Sequence, residues 1–198
     1  MLPTLQAKEP KKMTAIDALI NRVSVNLLED PAPSAEQLDL IIRAGLRACD
    51  HRNLRPWRYL IIRDDARHAF GALMVKAMEA NRGSSLESEL REKIAQKPFR
   101  APLIIAVVAN VKSDPKVPKI EQVMSAAASA QMMVTAAHVL EVGAMWRSGS
   151  IMFEPTMKEG LGLGTDDEIV GFLYLGTPVA VKEVPQLDPA VFTSVWSG

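Results

Sequence analysis

The stretch from Lys119 to Ser150 constrains the fold more than any other part of the chain. It contains no proline and no glycine before Gly143, and almost every residue from Val123 to Val142 is small or apolar. This pattern predicts one helix without a wide polar face, and such a helix must be covered on all sides. Gly143 suits the left-handed conformation that closes many helices, so we expect it to end this one.

A chain of 198 residues has little core in which to cover such a helix completely. The small residues from Ser125 to Ala130 allow another backbone to approach closely, so we expect a homodimer along this helix. A membrane span is the competing interpretation, because a span needs about twenty mostly apolar residues. Polar residues interrupt the run and disfavour it: Ser125, Ser129, Gln131, Thr135 and His138.

Composition narrows the class of protein. The formal net charge is zero, which is not the basic footprint of a nucleic-acid-binding protein. Cys49 is the only cysteine, so an internal disulfide is excluded and a cytoplasmic location is expected. Residues 1–13 lack the apolar core of a signal peptide. We therefore expect a flexible leader over 1–13, followed by a single domain over 14–198.

Apolar runs and capping signals predict an α+β fold. Residues 103–108 and 169–175 are continuous apolar runs typical of buried strands, and residues 58–62 and 144–146 resemble shorter ones. Thr14, the pair Ser34 and Gln37, and a second capping box over 84–87 predict helix starts, the last before a charged outer helix that could act as a cover. About four strands and six or more helices give helices around one sheet. Phe192 and Trp196 are expected to anchor an irregular tail.

The helix that follows Ser34 carries apolar residues at helical spacing as far as Cys49. This register predicts that Cys49 points inward as a small hydrophobic side chain rather than acting as a nucleophile. If the helix continues, Arg47 and His51 lie one turn apart and can reach one ligand. A solvated helix edge is the other interpretation of this pair.

The segment Asn21–Ser24 also has two interpretations. One is a frayed helix end with a solvated arginine. The other is an anion site, in which Arg22 supplies a forked cation and Ser24 and backbone N–H groups supply donors. The chain has no GxGxxG, GxxxxGK[ST], GxSxG or HExxH motif, and its three histidines are too scattered to predict a metal site.

In order along the chain, these segments resemble the FMN-dependent nitroreductase family. The resemblance rests on residues 21–24, 44–51, the Pro56-Trp57 step, 99–105, 146–149 and 171–178. Each motif is weak alone, but their order and spacing are specific. The resemblance implies a nitroreductase-like α+β fold with a mostly antiparallel sheet, an obligate homodimer with a buried central helix, and FMN held in a cleft between the subunits.

The resemblance also implies the cofactor-binding residues. One subunit would contribute Arg22, Val23 through its backbone, Ser24, Arg47 and His51, and the other would contribute Trp146, Arg147 and Ser148. Two residues depart from the family pattern. Val23 stands where a second arginine is usual, and Arg55 stands where a glutamine commonly precedes Pro-Trp.

The function implied is an FMN-dependent oxidoreductase that takes electrons from NADH or NADPH. A small nitroaromatic or quinone-like acceptor would receive them in a two-step exchange. The chemistry is expected on the flavin, with no catalytic side chain and no metal, and with Arg47 as a cation that tunes the flavin. The alternative is a flavin-binding or redox-responsive protein without turnover, which the departures at Val23 and Arg55 motivate.

Overall fold

The computed structural model describes residues 14–180 and 182–198, so the predicted leader over 1–13 lies outside the described residues. The helices are α1 (Ala15–Ile20), α2 (Ala35–Gly45), α3 (Ala66–Arg82), α4 (Ser88–Ala95), α5 (Lys119–Val139) and α6 (Pro155–Gly160). The strands are β1 (Leu28–Glu29), β2 (Trp57–Arg63), β3 (Leu103–Ala109), β4 (Gly143–Arg147) and β5 (Glu168–Pro178). Short 3₁₀ turns cover His51–Asn53, Lys97–Arg100, Ser150–Phe153 and Pro189–Phe192.

Strand β5 lies at the centre of the sheet. It pairs with β3 and β4 along its length and with β1 at its end, and β3 pairs in turn with β2. Every one of these pairings is antiparallel. The described residues thus confirm an α+β fold with an antiparallel sheet flanked by helices. The two-residue strand β1, which is too short to leave a pattern in the sequence, adds to the expected count.

The two faces of the sheet pack against different helices. Side chains alternate along a strand, so Phe172 and Tyr174 join the core beneath α3, whereas Leu173 and Leu175 join the core beneath α5. Strand β3 is buried at every position, as its continuous apolar run predicts. Covering both faces of a sheet in this way leaves β4 and its neighbouring loops at the edge, where a site can form.

Helix α5 is buried on one side only within the chain. Ala126, Ala130 and Met133 are completely buried. On the opposite side Ile120 and Met124 are 63% and 62% exposed, and Ala128, Met132 and Val139 are exposed too. We call these five exposed residues the α5 stripe. The prediction that this helix is covered on all sides is therefore not met by the single chain, which leaves an apolar face open.

Helix α2 packs closely on the buried side of α5. A Cβ atom at Gly45 would lie 2.7 Å from Met133 Cγ and 3.0 Å from Ser129 Oγ, so any other residue here would force the Met133 side chain to shift. Ser34 and Gln37 form the predicted capping box at the start of α2. Tyr59 on β2 shares a hydrogen bond of 2.5 Å with Ser129, which ties the sheet to α5 at the same point.

The prediction that Gly143 ends α5 is wrong. The helix stops at Val139, and Glu141 adopts the left-handed conformation with φ 59°. The N–H of Glu141 donates to the carbonyl of His138, and the N–H of Val142 donates to the carbonyl of Ala137. These two bonds are the Schellman motif that usually contains glycine. Gly143 instead opens β4.

Three smaller expectations are also corrected. Helix α1 is capped by Thr14 as predicted but ends at Ile20, before Arg22. The second capping box does not form, because the N-cap of α4 is Glu87 and its side chain makes no cap hydrogen bond. Trp196 is 90% exposed and Phe192 71% exposed, so neither anchors the tail on its own chain.

Among the described residues, no helix is long and apolar enough to cross a membrane.

Candidate functional site

A cavity of about 440 Å³ lies between α3, the Lys97–Arg100 turn, β4 and β5. Strand β4 and the loop after it bring Trp146, Arg147 and Ser148 to its wall. Apolar side chains form another part of the wall: Met74, Met78, Met145, Ile151 and Phe172. The cavity therefore combines an apolar surface with the cation and hydroxyl that the resemblance assigns to a cofactor.

Three cations line this cavity: Lys97, Arg100 and Arg147. None of them forms an ion pair within the described chain, and no acidic residue is among the described lining residues. Burial lowers the pKa of the Lys97 ammonium, and the neighbouring Arg100 and Arg147 lower that pKa further. Like charges that face one cavity without a counter-charge destabilise one another, so the arrangement favours an anionic ligand.

The guanidinium of Arg147 is held in place by two contacts, but one of its N–H donors lacks a hydrogen-bond partner within the described residues. Its Nη2 donates to the carbonyl of Asn26 at 2.8 Å, and its guanidinium lies over the Tyr174 ring, 5.1 Å from the centroid. Its Nε is buried and has no hydrogen-bond partner within the described residues. A buried donor without a partner costs about 1–3 kcal/mol, more if charged, and a bound acceptor would remove that cost. Burial raises the pKa of the Tyr174 hydroxyl to about 12, so the phenol stays neutral beside these cations.

The segment with Arg22, Val23 and Ser24 runs next to β4 in the same chain. The N–H of Val25 donates to the carbonyl of Ala144 at 2.9 Å, and Arg147 reaches Asn26, as described above. Arg22 Nη1 donates to Ser24 Oγ at 3.4 Å. One chain thus places the backbone that follows Ser24 beside β4, and the expectation that Arg22 and Arg147 share one site across a subunit interface stays a prediction.

Arg47 and His51 occupy a different place from these residues. Helix α2 ends at Gly45, so the condition under which Arg47 and His51 would lie one turn apart on a helix face is not met. His51 Nδ1 shares a hydrogen bond of 2.6 Å with Glu121 Oε2 in the first turn of α5. Cys49 is exposed rather than inward, because the helical register on which that prediction rests stops four residues earlier.

Arg47 lines a second cavity of about 320 Å³, together with Asp50, Asn53, Arg55 and Trp57. Neither Arg47 nor His51 lines the first cavity. Within one chain, the candidate residues thus fall into two groups. Trp146–Ser148 lie at the end of β4 and line the first cavity. Arg22–Ser24 precede the residues that contact β4 but do not line that cavity, and Val23 lines another pocket with His138. Arg47 lies just after α2, and His51 contacts the first turn of α5.

Sequence reasoning misses Lys97 and Arg100 as site residues. The charge pattern puts Lys97 at the end of an outer helix, and Arg100 stands out only as part of the approach to β3. In the structure α4 ends at Ala95, and the following 3₁₀ turn brings both cations into the cavity. Pro98 lies between the two cations in the sequence. Because proline favours a turn over a continued helix, it is a signal that could have found them.

Comparisons with known proteins agree with this geometry. The Nitroreductase family profile matches residues 19–177. The Escherichia coli K12 protein named "Putative NAD(P)H nitroreductase YdjA" is 43% identical over 184 residues, which cover 92% of this chain and 99% of that protein. A Haemophilus influenzae protein named "Putative NAD(P)H nitroreductase" is 31% identical over 187 residues, covering 92% of this chain and 99% of that protein. The chain therefore belongs to the nitroreductase family.

Solved structures support the same fold. The nitroreductase-like family protein from Bacillus cereus has a TM-score of 0.78 at 20% identity, covering 96% of this chain and 100% of that one. A Desulfovibrio desulfuricans protein described as "a putative nitroreductase in complex with fmn" has a TM-score of 0.70 at 24% identity, covering 92% of this chain and 96% of that one. These similarities establish the α+β nitroreductase-like fold.

Proposed function

We propose that this protein is an FMN-dependent oxidoreductase that passes electrons from NADH or NADPH to a small organic acceptor. Membership of the nitroreductase family supports the class, and the names of the two relatives support the electron donor. The observation that carries the proposal is the cavity beside β4, where Lys97, Arg100 and Arg147 face one another without an acidic partner among the described residues.

The residues of this cavity fit FMN by their chemistry. FMN carries a phosphate dianion, and its ring gains negative charge on reduction, so clustered cations and hydroxyl donors suit it. The buried Nε of Arg147 is a donor without an acceptor among the described residues. Trp146, Arg147 and Ser148 would hold the cofactor together with Arg22, Ser24 and the backbone of Val23. Bound FMN would supply hydride-transfer redox chemistry that the side chains lining this cavity cannot supply.

The cations of the cavity would also tune that chemistry. A positive potential stabilises added negative charge, and a low-dielectric site strengthens the effect. Lys97 and Arg100 line the cavity itself, whereas Arg47 does not. We therefore assign the tuning role first to Lys97 and Arg100, and Arg47 keeps that role only if a second subunit brings it to the cavity.

A homodimer would bring the two groups of candidate residues together. The α5 stripe is an open apolar face, and a two-fold axis allows the same face to cover itself. His51 is bonded to Glu121 in the first turn of α5, and Cys49, Asp50 and His51 share a shallow apolar pocket with Met124 and Ala128 of the stripe. A partner seated on the stripe would therefore carry its own Arg47 and His51 towards this chain's Arg22 and Arg147. Each flavin site would then need both subunits.

The expected acceptor is a nitroaromatic or quinone, and the expected scheme is a two-step exchange. The electron donor would leave before the acceptor enters the same space, so the protein needs no site that holds both at once. The lone cysteine favours a reducing, cytoplasmic setting for this chemistry.

Steady-state kinetics test the proposal against its alternative, a flavin-binding protein without turnover. Oxidation of NADH and of NADPH is followed with a naphthoquinone and with nitrobenzene as acceptors. The proposal predicts turnover with parallel double-reciprocal plots, as a two-step exchange requires. Flavin-containing protein that turns over no acceptor would favour the alternative, and intersecting plots would contradict the two-step scheme.

A further inference from the structure

The hydroxyl of Tyr174 has no hydrogen-bond partner within the described residues. Tyr174 lies on the central strand β5, is only 2% exposed, and lines the cavity beside β4. Its hydroxyl makes no hydrogen bond with a described residue, yet it is not sealed among protein atoms. The open space that this hydroxyl reaches is therefore the cavity. A buried phenol usually bonds through its hydroxyl, so this one is left with a donor to offer a ligand.

The other tyrosine of the chain shows the usual arrangement. Tyr59 on β2 shares a hydrogen bond of 2.5 Å with Ser129, so its hydroxyl has a partner inside the protein. Position 174 differs, because phenylalanine would fill it without burying a hydroxyl, as Phe172 does at the previous inward position of β5. The stability of the fold therefore does not account for the hydroxyl of Tyr174.

The backbone and the ring of Tyr174 are held in place. Strand β5 pairs with a neighbour on each side at this position, so Tyr174 lies opposite Met145 on β4 and Ile104 on β3. The guanidinium of Arg147 lies over the ring, 5.1 Å from its centroid, and attraction between cation and ring favours this contact. A donor on a paired central strand keeps its position when a ligand enters, which suits precise binding.

The surroundings of the hydroxyl favour an oxygen acceptor. Burial raises the pKa of Tyr174 to about 12, although Arg147 and Arg100 act to lower that pKa. The phenol is therefore protonated at neutral pH, so it can donate a hydrogen bond but gives the cations no counter-charge. Because Lys97, Arg100 and Arg147 line the same cavity, an oxygen that carries or gains negative charge fits this set of donors.

We infer that Tyr174 is a binding residue of the cavity beside β4, and that its hydroxyl donates a hydrogen bond to an oxygen of the bound flavin. This inference rests on the proposed function. The flavin offers two kinds of oxygen, those of the phosphate and those of the ring. The role differs from that of the cations, because a hydrogen bond depends steeply on its angle and so orients the ligand without adding charge.

The test removes only the hydroxyl, by Tyr174→Phe, and Tyr59→Phe is the matched control. Apoprotein of each variant is titrated with FMN and with riboflavin, which lacks the phosphate. Tyr174→Phe should bind FMN at least about threefold more weakly than Tyr59→Phe does, the loss expected for one hydrogen bond. Weakening for FMN alone assigns the bond to the phosphate, and equal weakening for both flavins assigns it to the ring. Unchanged FMN affinity would overturn the inference, because water alone would then satisfy the hydroxyl.

The thermal stability of the two apoproteins separates binding from a structural role. Tyr59→Phe removes a hydrogen bond within the chain and should lower the Tm by about 2–4 °C. Tyr174→Phe removes none within the described residues, so the Tm should stay the same or rise. A fall in Tm for Tyr174→Phe as large as that for Tyr59→Phe would contradict the inference, since the hydroxyl would then have a partner in the protein.

A measurement on the unmodified protein keeps the test valid if Tyr174→Phe does not fold. Labelling with meta-fluorotyrosine gives two fluorine NMR signals, one for each tyrosine, and Tyr59→Phe shows which signal belongs to Tyr174. Binding of FMN should shift the Tyr174 signal more than the Tyr59 signal. A Tyr174 signal that does not move in flavin-loaded protein would overturn the inference.

The inference and the proposed function can fail separately. If the unmodified protein takes up neither FMN nor riboflavin, the proposed function fails, and the hydroxyl is then tested with inorganic phosphate. A shift of the Tyr174 fluorine signal on addition of phosphate, but not of sodium chloride at equal ionic strength, would support the donor even then. No shift with phosphate would end the inference.

Discussion

Glu141 is the residue at which the structure departs most plainly from the expected helix end, and it gives a quantitative prediction. Its backbone lies at φ 59° in the left-handed position of the Schellman motif that closes α5. Glutamate is strained there, whereas glycine is not. Its carboxylate also lies at the negative end of the helix dipole, which adds a small penalty. Glu141→Gly should therefore stabilise the protein.

The expected gain follows from two opposing effects. A side chain in the left-handed conformation costs about 1–2 kcal/mol. Replacement by glycine also makes the unfolded chain more flexible. This offsets about 0.4–1 kcal/mol of the gain in the free energy of unfolding. The difference is about 0.5–1 kcal/mol, which corresponds to a rise in Tm of about 1–4 °C for a chain of this size.

Differential scanning calorimetry at one fixed protein concentration measures this change. Glu141→Gln is one control, since it removes the charge but keeps the strain, and it should give only a small part of the gain. Gly83→Ala is the reverse control. Gly83 closes α3 at φ 67°, and a Cβ atom added there would meet nothing within 4 Å, so only strain is introduced and the Tm should fall. A lower Tm for Glu141→Gly would refute the assigned helix end.

Three further predictions concern the cofactor, the dimer and pH. Arg22→Ala should weaken FMN binding at least tenfold, because a charge-assisted hydrogen bond contributes about 1.5–3 kcal/mol. Titration of the apoprotein measures this, and unchanged affinity relative to the exposed control Arg82→Ala would show that Arg22 is a solvated side chain. Ala128→Glu should lose dimer, flavin and thermal stability together, because it places a charge on the α5 stripe without a clash inside the chain. Light scattering that finds this variant dimeric, or no different from the exposed control Ala72→Glu, would contradict the interface. Stability should fall between about pH 10 and pH 12, because the Tyr174 pKa of about 12 exceeds the unfolded value of about 10 and the folded state keeps its proton longer. Tyr174→Phe should reduce that loss in denaturant titrations, and an unaltered pH dependence would argue against a buried neutral phenol.

The sequence predicts the parts of the fold that depend on local pattern. The apolar run of β3 and the capping box at Ser34 appear as expected, because strand burial and helix capping follow from neighbouring residues. The end of α5 could not be predicted in this way. Glycine is the usual closing residue, but the left-handed position falls on Glu141, two residues before Gly143, where the backbone bonds to Ala137 and His138 close the helix.

The candidate site is only partly visible in the sequence for a similar reason. The resemblance names Arg22, Arg147 and Arg47, but it cannot say which of them one chain brings together. That depends on long-range contacts such as the hydrogen bond from Val25 to Ala144. Lys97 and Arg100 leave no charge pattern of their own, and Pro98 between them is the sequence signal for the turn that brings them into the cavity.

The absorption spectrum of the purified protein, followed by anaerobic addition of NADH or NADPH, tests the proposed function most directly. Because the cations of the cavity beside β4 fit FMN, we expect a yellow protein with the visible bands of an oxidised flavin, or a colourless one that acquires them when FMN is added. Those bands should bleach when the reduced nucleotide is added without oxygen. A colourless protein that takes up no added FMN, or a flavin that neither nucleotide bleaches, would contradict the account.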